Sequence, residues 1–452
     1  MESSKRLRIS PSLKIVLGFM GIILIGTFLI SLPWSNTTGT WLNFVDSLFT
    51  STSAVCVTGL IVVDTATQFT LFGKIILLLL IQIGGLGIIA VTSLIFLILG
   101  KKINLSNRMT IRESLNKENL QGCVKFIKRV LIITFSIELV GVIMLLYGMI
   151  SYTGSFWSGL FNAIFMSVSA FCNAGFDILG TSGQEFVSLY AFSSKVLVIL
   201  PLLFLIVLGG IGFIVLIEGF KNFKNKQHTK VVLLITFILL FGGAIMFLIM
   251  EWNNPATLGN MSVSDKIFNA LFQSSTTRTA GFATIDQASM TTGSQILSMI
   301  LMFIGGSPNS CAGGIKTTTF FIFILFLVKR ANVNGDIRLK NRKISRAILF
   351  KAIKLISYAM LFIVASVILI GVIEGNAFSL DSVLFECISA ISTVGLTFGI
   401  TPFLSGFSKI ILILLMFVGR VGLTTITLSL SSKITSEANV QIDYPNTDII
   451  VG

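Results

Sequence analysis

The chain has 452 residues, of which 54% are hydrophobic and 12% are charged. Because soluble domains carry roughly 25% charged residues, this composition excludes an ordinary soluble protein and indicates a polytopic membrane protein. The net charge of +14 is not by itself a sign of nucleic-acid binding, because in a membrane protein the position of the basic residues decides their meaning. The five cysteines include no CxxC pair, so they indicate neither a disulfide framework nor a zinc site.

Apolar runs long enough to cross a bilayer recur along the chain. The first run, from Ile15 to Leu32, follows a basic tail like the apolar part of a signal peptide. It has no small-x-small cleavage site, so we interpret it as a retained first helix. The predicted spans are 14–33, 71–99, 129–150, 194–218, 231–250, 294–328, 351–373 and 405–432. Segments too short to span, rich in Phe, Ser and Ala, lie at 42–56, 158–172, 264–278 and 380–392.

Each short segment runs into a glycine-containing string, and this string occurs four times. The four copies are Cys56-Val57-Thr58-Gly59-Leu60, Cys172-Asn173-Ala174-Gly175-Phe176, Arg278-Thr279-Ala280-Gly281-Phe282 and Ser392-Thr393-Val394-Gly395-Leu396. Their glycines are 116, 106 and 114 residues apart. This self-similarity predicts four tandem membrane–pore loop–membrane repeats, with eight transmembrane helices and four re-entrant pore helices around a pseudo-fourfold pore. The predicted repeats are 1–100, 101–220, 221–330 and 331–452.

A second string marks the last span of each repeat, the inner helix. It reads Gly84-Gly85-Leu86-Gly87, Gly209-Gly210-Ile211-Gly212, Gly305-Gly306-Ser307-Pro308 and Gly419-Arg420-Val421-Gly422. The first glycine lies 25, 34, 24 and 24 residues after the glycine of the preceding string. Glycine is a common packing residue in transmembrane helices, but packing alone does not explain a shared register in four copies.

The basic residues lie mainly on one side of the predicted spans. With the N-terminus in the cytoplasm, that side holds 26 of the 33 Lys and Arg residues, most of them in 101–129, 221–230 and 329–354. The bias predicts a multi-pass protein of the bacterial plasma membrane with both termini cytoplasmic. The outer side holds ten acidic residues, Asp177 among them. Such a face would attract cations, although positive-inside loops also occur in membrane proteins without that role.

The four strings have the chemistry of a cation selectivity filter. A dehydrated monovalent cation needs oxygen ligands all round, and backbone carbonyls supply them where four extended loops converge on an axis. Glycine permits a positive φ, which lets successive carbonyls point the same way. None of the strings contains a carboxylate, which favours K⁺ over Ca²⁺. The predicted K⁺-binding residues are Val57, Thr58, Gly59, Asn173, Ala174, Gly175, Thr279, Ala280, Gly281, Thr393, Val394 and Gly395.

Other residues of the short segments have predicted structural roles. The apolar residue after each glycine is expected to pack behind the filter. Asp46, Asp265 and Asp381 lie at similar distances before their glycines, which predicts that they cap the pore helices. Glu386 is expected to form hydrogen bonds behind the filter, and Arg278 to brace its loop rather than face ions.

These motifs resemble the Trk/Ktr/HKT superfamily of potassium transporters over essentially the entire chain. We expect the chain to lack the extra N-terminal helix pair of the Trk branch, and it most resembles the Ktr-type membrane subunit. In plant HKT relatives, serine at the first filter glycine accompanies sodium preference, so glycine in all four strings implies potassium. Cys56 departs from the family, where threonine is more usual, and we expect this change to tune the filter rather than abolish it.

The third inner segment, 294–328, is too long for one membrane-crossing helix. Its middle is rich in Gly, Ser, Pro and Asn, which predicts a break in the membrane below the filter, with a kinked helix as the alternative. The resemblance implies that this break is a gating loop. The predicted gate residues are Gly305, Gly306, Ser307, Pro308, Asn309, Ser310, Cys311, Ala312, Gly313, Gly314 and Lys316.

Arg420 stands where the other repeats have Gly85, Gly210 and Gly306. An intramembrane arginine is costly and usually faces an aqueous path or a partner. Repeat symmetry places it on the axis below the filter, where its charge would act as a pore barrier. An ion pair with Glu138 or another acid is the alternative.

Three classes of function remain to be weighed. The first is potassium uptake through a gated, channel-like pore; the second is a potassium/sodium symporter with alternating access, although parallel repeats suit a pore better. An intramembrane enzyme is disfavoured because the one histidine, His228, lies in a basic stretch without a catalytic motif. No nucleotide-binding loop is visible and no nucleic-acid partner is expected. The resemblance implies a homodimer, in membrane lipid, on a cytosolic RCK/KTN ring (KtrA/KtrC-like) whose subunits bind ATP or ADP.

Overall fold

The computed structural model describes residues 11–87, 123–222, 227–329, 337–339, 342–422 and 425. Within these ranges almost all regular structure is helical, apart from one short antiparallel hairpin of Ile337–Leu339 with Arg342–Ile344. The predicted all-helical class is confirmed. The basic segment 101–129 lies mostly outside the described residues, and so does part of each of the other two.

Four long helices, which we call the outer helices, open the repeats. They are Pro11–Ser31, Cys123–Thr153, Gln227–Glu251 and Arg346–Glu374. Each is long and apolar enough to cross a membrane. Their outward faces carry exposed large apolar side chains such as Leu24, Ile143 and Val372. Hydrocarbon, rather than water, is the solvent that suits such a surface.

Four shorter helices, the pore helices, lie inside the ring of outer helices. They are Phe44–Cys56, Phe156–Cys172, Val263–Thr276 and Leu380–Ser392, close to the predicted segments. Their C-terminal halves are almost completely buried. The third ends two residues earlier than predicted, because Thr277 begins a tighter turn before the glycine string.

Glycines end or interrupt the inner helices within their predicted spans. The described helices are Leu71–Leu86, Val196–Ile211, Thr292–Phe303 and Gly406–Val421. Gly87, Gly212 and Gly422 follow three of them with φ of 81°, 101° and 88°. Such angles favour glycine and end a right-handed helix. After Gly212 the second inner segment continues as Phe213–Asn222, and the third resumes as Thr317–Val328.

Serine–glycine contacts join the outer helices to the pore helices in the first three repeats. The hydroxyls of Ser51, Ser167 and Ser274 donate to the carbonyls of Ile23, Glu138 and Leu240, at 2.8, 2.7 and 2.7 Å. Gly26, Gly141 and Gly243 lie beside these hydroxyls, where a β-carbon would collide with them. The contact requires both a small hydroxyl residue and a glycine, so each pore helix is held at a fixed depth.

The predicted capping role of the three aspartates is wrong. Asn43 and Ser262 cap the first and third pore helices with their side chains, and Ser379 occupies the cap position of the fourth. Asp46, Asp265 and Asp381 lie one turn inside, where a carboxylate still interacts favourably with the helix dipole. The Asp46 carboxylate also forms an ion pair with the ammonium group of Lys409, with 2.8 Å between Oδ1 and Nζ. This ion pair joins the fourth repeat to the first.

Candidate functional site: the filter and the loop beneath it

The backbone enters the left-handed region, with positive φ, where each pore helix runs into its string. Val57, Asn173 and Thr393 directly follow their helices with φ of 57°, 59° and 51°, and Thr279 has φ of 72°. The string glycines then have φ of 92°, 70°, 77° and 95°. In the first, second and fourth repeats, a bond to the Ser53, Ser169 or Ser389 carbonyl closes the helix end. In these three repeats the same turn therefore aims the string in the same direction relative to its pore helix.

The four string glycines form a closed ring. A β-carbon on Gly59 would lie 2.5 Å from the Ala174 carbonyl oxygen, and one on Gly175 would lie 2.7 Å from that of Ala280. In the same way Gly281 faces the carbonyl oxygen of Val394, and Gly395 faces that of Thr58. Each glycine thus approaches the carbonyl of the next repeat, and the fourth repeat approaches the first.

This ring sets the chemistry of the site. Four peptide oxygens, from Thr58, Ala174, Ala280 and Val394, occur at equivalent positions around one centre. Oxygens gathered in this way are the ligands that replace water around a dehydrated monovalent cation. The structure therefore brings the predicted filter residues of all four strings together.

Hydroxyl groups hold the strings from behind. Ser53 and Ser389 accept hydrogen bonds from the amides of Gly59 and Gly395, at 3.1 and 3.0 Å. Ser169 and Thr276 donate to the carbonyls of Phe176 and Phe282, at 2.7 and 2.6 Å. Sequence reasoning missed these residues, although a Ser or Thr five or six residues before each string glycine was a visible signal.

Two repeats add a second brace at equivalent positions. In the third, the Gln273 and Gln287 amides pair at 2.6 and 3.2 Å. In the fourth, Glu386 accepts from Thr401 at 2.9 Å and from Thr397, as expected for a hydrogen-bonding residue behind the filter. Both braces tie the pore helix to the chain that leaves the string.

The apolar residue after each glycine is fully packed. Leu60, Phe176, Phe282 and Leu396 are at most 1% exposed. Packed side chains at all four positions keep the strings from spreading outward, because protein interiors yield little to displacement. The predicted packing behind the filter agrees with this burial.

The first glycine of the second string, in each inner helix, explains why this string recurs at a similar position in the repeats. At Gly84, Gly209 and Gly419 a β-carbon would collide with the carbonyl oxygen of Val55, Phe171 or Ile391, at the end of the pore helix. At Gly305 the same space is filled by the carbonyl of Gly313. Only glycine permits such a close approach of two backbones. The shared register therefore reflects one contact made by three of the repeats, with the third repeat supplying its own loop instead.

The third inner segment is interrupted between Phe303 and Thr317, which excludes a merely kinked helix. The interruption is an ordered loop held by backbone bonds. The Ser307 and Cys311 amides donate to the carbonyls of Gly210 and Gly209, at 3.0 and 3.2 Å, and Phe213 donates to Asn309 at 2.8 Å. The Gly209 and Gly210 carbonyls and the Phe213 amide are free to form these bonds because the second inner helix is broken at Gly212. Gly313 and Gly314 lie against Thr393 and Ser392 of the fourth string. The loop therefore lies directly against the fourth string.

Arg420 contacts backbone carbonyls. Its guanidinium donates to the carbonyls of Cys311 and Gly84, and to that of Gly85 at 3.3 Å. Glu138 instead accepts from Gln82 at 3.2 Å, so the alternative ion pair between Arg420 and Glu138 is absent. The arginine thus links the fourth inner helix to the loop of the third inner segment and to the first inner helix.

Lys316 closes the same loop at its other end. Its ammonium group donates to the carbonyls of Ala312 and Gly313, at 2.5 and 3.4 Å. By bonding to carbonyls of its own loop, Lys316 ties the end of that loop together rather than extending toward the membrane surface.

Arg278 differs from expectation. Its side chain is 7% exposed, its Nε has no hydrogen-bond partner, and no hydrogen bond of its guanidinium occurs among the described residues. The expected bracing of the loop by this side chain is therefore wrong. The backbone turn and the Thr276 hydroxyl hold the third string instead.

Four converging pore loops inside a ring of apolar helices define a polytopic membrane transport protein with pore-loop repeats. Residues 17–442 match the TrkH family, described as cation transport protein, and the chain belongs to that family. Its members transport potassium or other cations and are not enzymes.

Relatives and a solved structure agree with this assignment. The chain is 38% identical to the potassium/sodium uptake protein NtpJ of Enterococcus hirae over 100% of this chain and 99% of that one. It is also 38% identical to the Ktr system potassium uptake protein B of Bacillus subtilis, over 99% and 98% of the two chains. The crystal structure of the potassium transporter TrkH from Vibrio parahaemolyticus has a similar fold, with a TM-score of 0.73 at 19% identity, covering 96% and 88% of the two chains.

Proposed function

We propose that the chain is a gated, channel-like pore for potassium uptake, in which K⁺ is held by backbone carbonyls of the four strings. The observation that carries the proposal is the closed ring in which each string glycine meets the carbonyl of the next repeat. In this assignment the filter residues are the twelve predicted from the sequence, and K⁺ is the transported ion rather than a resident cofactor.

The loop from Gly305 to Lys316 is the proposed gate, with Arg420 as an electrostatic barrier beneath the filter. The loop lies against the fourth string, and its hydrogen bonds run to the second and fourth inner helices. Since Arg420 both carries a charge and bonds the loop, it couples the barrier to the position of the gate.

A sodium-coupled uptake mechanism is the second candidate, because one relative is named a potassium/sodium uptake protein. Parallel repeats closing around one centre favour a pore over alternating access. Potassium uptake that requires sodium and saturates like a carrier would favour the second candidate.

The proposed setting is a bacterial plasma membrane with both termini in the cytoplasm. By similarity to proteins of the Ktr system, we place the chain in a homodimer on a cytosolic RCK/KTN ring that binds the nucleotide. Two measurements test this part of the proposal: whether the chain copurifies with such a ring, and whether a change of bound nucleotide releases the ring from the chain.

The deciding experiment for transport is complementation of potassium-limited growth in a strain that lacks other uptake systems, with and without a coexpressed regulator. Growth at low potassium supports the proposal. A correctly inserted protein that restores no growth, either with or without the coexpressed regulator, would contradict the proposal.

Single cysteines at Thr58, Ala174, Ala280 and Val394 test the filter separately. Membrane-impermeant thiol reagents should reach all four positions at one depth.

A further inference from the structure

Two buried cysteines meet where the loop of the third inner segment lies against the second repeat. Cys172 ends the second pore helix, Cys311 belongs to the loop, and both side chains are fully buried. Their thiols share a hydrogen bond, and the Cys172 thiol also donates to the Gln82 amide oxygen at 3.7 Å. Because the S–S bond of a disulfide is only roughly 2 Å long, it forms readily between thiols that already lie side by side. Both residues are free thiols in the structure and meet this condition.

Backbone contacts hold the two cysteines in place. The Cys311 amide donates to the Gly209 carbonyl at 3.2 Å. A β-carbon on Gly209 would collide with the carbonyl of Phe171, the residue before Cys172. On the opposite side, a β-carbon on Gly85 would lie 2.4 Å from the Cys172 sulfur. The contact between the thiols therefore follows from the way the loop is bound to the second repeat.

Two cationic side chains lie next to Cys311. The Arg420 guanidinium donates to the Cys311 carbonyl, and the Lys316 ammonium group donates to the carbonyl of the next residue, Ala312. Positive charge favours the thiolate, which is the form of cysteine that reacts with oxidants. The three residues before Cys311, 308–310, are only half-buried, so a small oxidant comes within one residue of the thiol.

The other two cysteines whose side chains the structure describes have no such arrangement. Cys56, at the position of Cys172 in the first repeat, and Cys387, in the fourth pore helix, are equally buried. Neither has a thiol partner within the described part of the chain. The pair therefore depends on the loop that the third repeat supplies.

We propose that Cys172 and Cys311 form a site of reversible oxidation, at which hydrogen peroxide converts the two thiols into a disulfide. The Cys311 sulfur attacks one peroxide oxygen and the O–O bond breaks, which gives a sulfenic acid and one water. The Cys172 sulfur then attacks the sulfenic sulfur, which forms the S–S bond and releases a second water. The two thiols lose two electrons and two protons, and both end in the waters. A small thiol reductant restores the pair by exchange and is itself oxidised to its disulfide.

The disulfide would fix the loop to the second pore helix. The backbone bonds from the loop to Gly209 and Gly210 can break and re-form as the loop moves, whereas the covalent bond persists until it is reduced. If the loop is the gate, oxidation therefore holds the pore closed. This consequence rests on the proposed function, whereas the oxidation site itself does not.

The first test is chemical and does not depend on transport. Wild-type protein treated with hydrogen peroxide, then denatured, alkylated and digested, should yield a peptide pair that joins Cys172 to Cys311. Dithiothreitol should remove this linkage, and Cys387→Ser, which removes an equally buried cysteine, should retain it. Alkylated thiols at both positions after peroxide treatment would overturn the proposal. A linkage of Cys311 to Cys56 instead of Cys172 would do the same.

The second test measures the effect on the loop. In proteoliposomes, peroxide should lower the rubidium flux of the wild type on the order of tenfold, because a disulfide typically shifts an equilibrium by more than one factor of ten. Dithiothreitol should restore the flux. Each variant is compared with itself before oxidation: Cys172→Ser and Cys311→Ser should not respond, and Cys387→Ser should respond like the wild type. A linked protein with unchanged flux would refute the effect on the loop. Absence of flux before oxidation would instead count against the proposed function.

Discussion

The carbonyl oxygen of Thr58 faces Gly395, so the first and last strings of the chain meet in space. With the three other contacts of this kind, the meeting turns a linear array of repeats into a ring. The ion pair of Asp46 with Lys409 joins the same two repeats nearer the outer face. Disturbing any one member of the ring therefore displaces a carbonyl of its neighbour.

Gly59→Ser should reduce the preference for K⁺ over Na⁺ roughly tenfold, equivalent to about 1.4 kcal/mol, because the new β-carbon displaces the Ala174 carbonyl. Gly281→Ser should act likewise through Val394. The measurement is competitive K⁺ and Na⁺ uptake in a strain without other potassium systems. Gly39→Ser is the matched control: Gly39 also has a positive φ, of 65°, but no neighbour within 4 Å of the added β-carbon. Unchanged selectivity in both filter variants would count against the filter assignment.

Deleting residues 308–313 should raise flux in the absence of the regulator, because the segment that lies beneath the fourth string is removed. Flux of rubidium into proteoliposomes measures this directly. Ser310→Ala serves as the control, since it removes only a hydrogen bond within the loop, 2.6 Å long, to the Ser307 carbonyl. A deletion variant that inserts and elutes normally but remains closed would refute the gate.

Arg420→Ala should raise the maximal flux, since both the positive charge and the bonds to the loop are lost. Arg420→Lys separates the two effects, because lysine keeps the charge but loses the planar fork that reaches Cys311 and Gly84 together. A lysine variant as slow as wild type identifies charge as the barrier, and a fast one identifies the tether. An alanine variant with wild-type flux would place Arg420 off the ion path.

Asp177 predicts a pH dependence at the outer mouth. It lies in the connection that follows the second string, outside the spanning helices, and desolvation there raises the pKa of its carboxyl to about 6, with the nearby Asp64 charge adding to the effect. The carboxyl is ionised above that pH and attracts cations, and it becomes neutral as the pH falls below it. Uptake at low K⁺ should therefore fall between pH 7 and 5, with little change at saturating K⁺.

Asp177→Asn should flatten this pH profile. Glu185→Gln, which removes one exposed charge from the same connection, is the control and should preserve the decline. A profile unaffected by Asp177→Asn would show that another group titrates.

Glu386→Ala should lower stability by about 1–3 kcal/mol, because the buried hydroxyl of Thr401 loses its acceptor. Thermal melting of the purified protein in detergent measures the change. Gln273→Ala, at the equivalent position of the third repeat, should have a similar effect, and Asp381→Ala, in the exposed first turn of the same pore helix as Glu386, a smaller one. Equal melting temperatures for Glu386→Ala and wild type would show that the brace carries no stability.

The sequence predicted the parts of the site that repeat as glycines. Gly59 and its three equivalents were found by their spacing, and Arg420 by its place in the second string. The breaks at Gly87 and Gly212 were missed, because apolar composition favours a continuous helix and does not report a backbone angle.

Contacts between distant residues could not be predicted in the same way. The Ser51 hydroxyl bonds to Ile23 only because two helices cross there, and the Asp46 ion pair with Lys409 depends on ring closure. The capping prediction for Asp46 was wrong because the neighbouring Asn43 is the residue whose side chain reaches the first turn. The bracing prediction for Arg278 was wrong because its Nε has no hydrogen-bond partner and no hydrogen bond of its guanidinium occurs among the described residues.

The tandem arrangement has a consequence for Arg420. Four identical subunits would have to place either four arginines at this level or none, and a quartet of positive charges would prevent cation passage altogether. Because one polypeptide supplies all four quarters, each quarter can diverge separately. In the proposed function, a single arginine and a single loop then give a graded obstacle to cations that a symmetric assembly of identical chains cannot make.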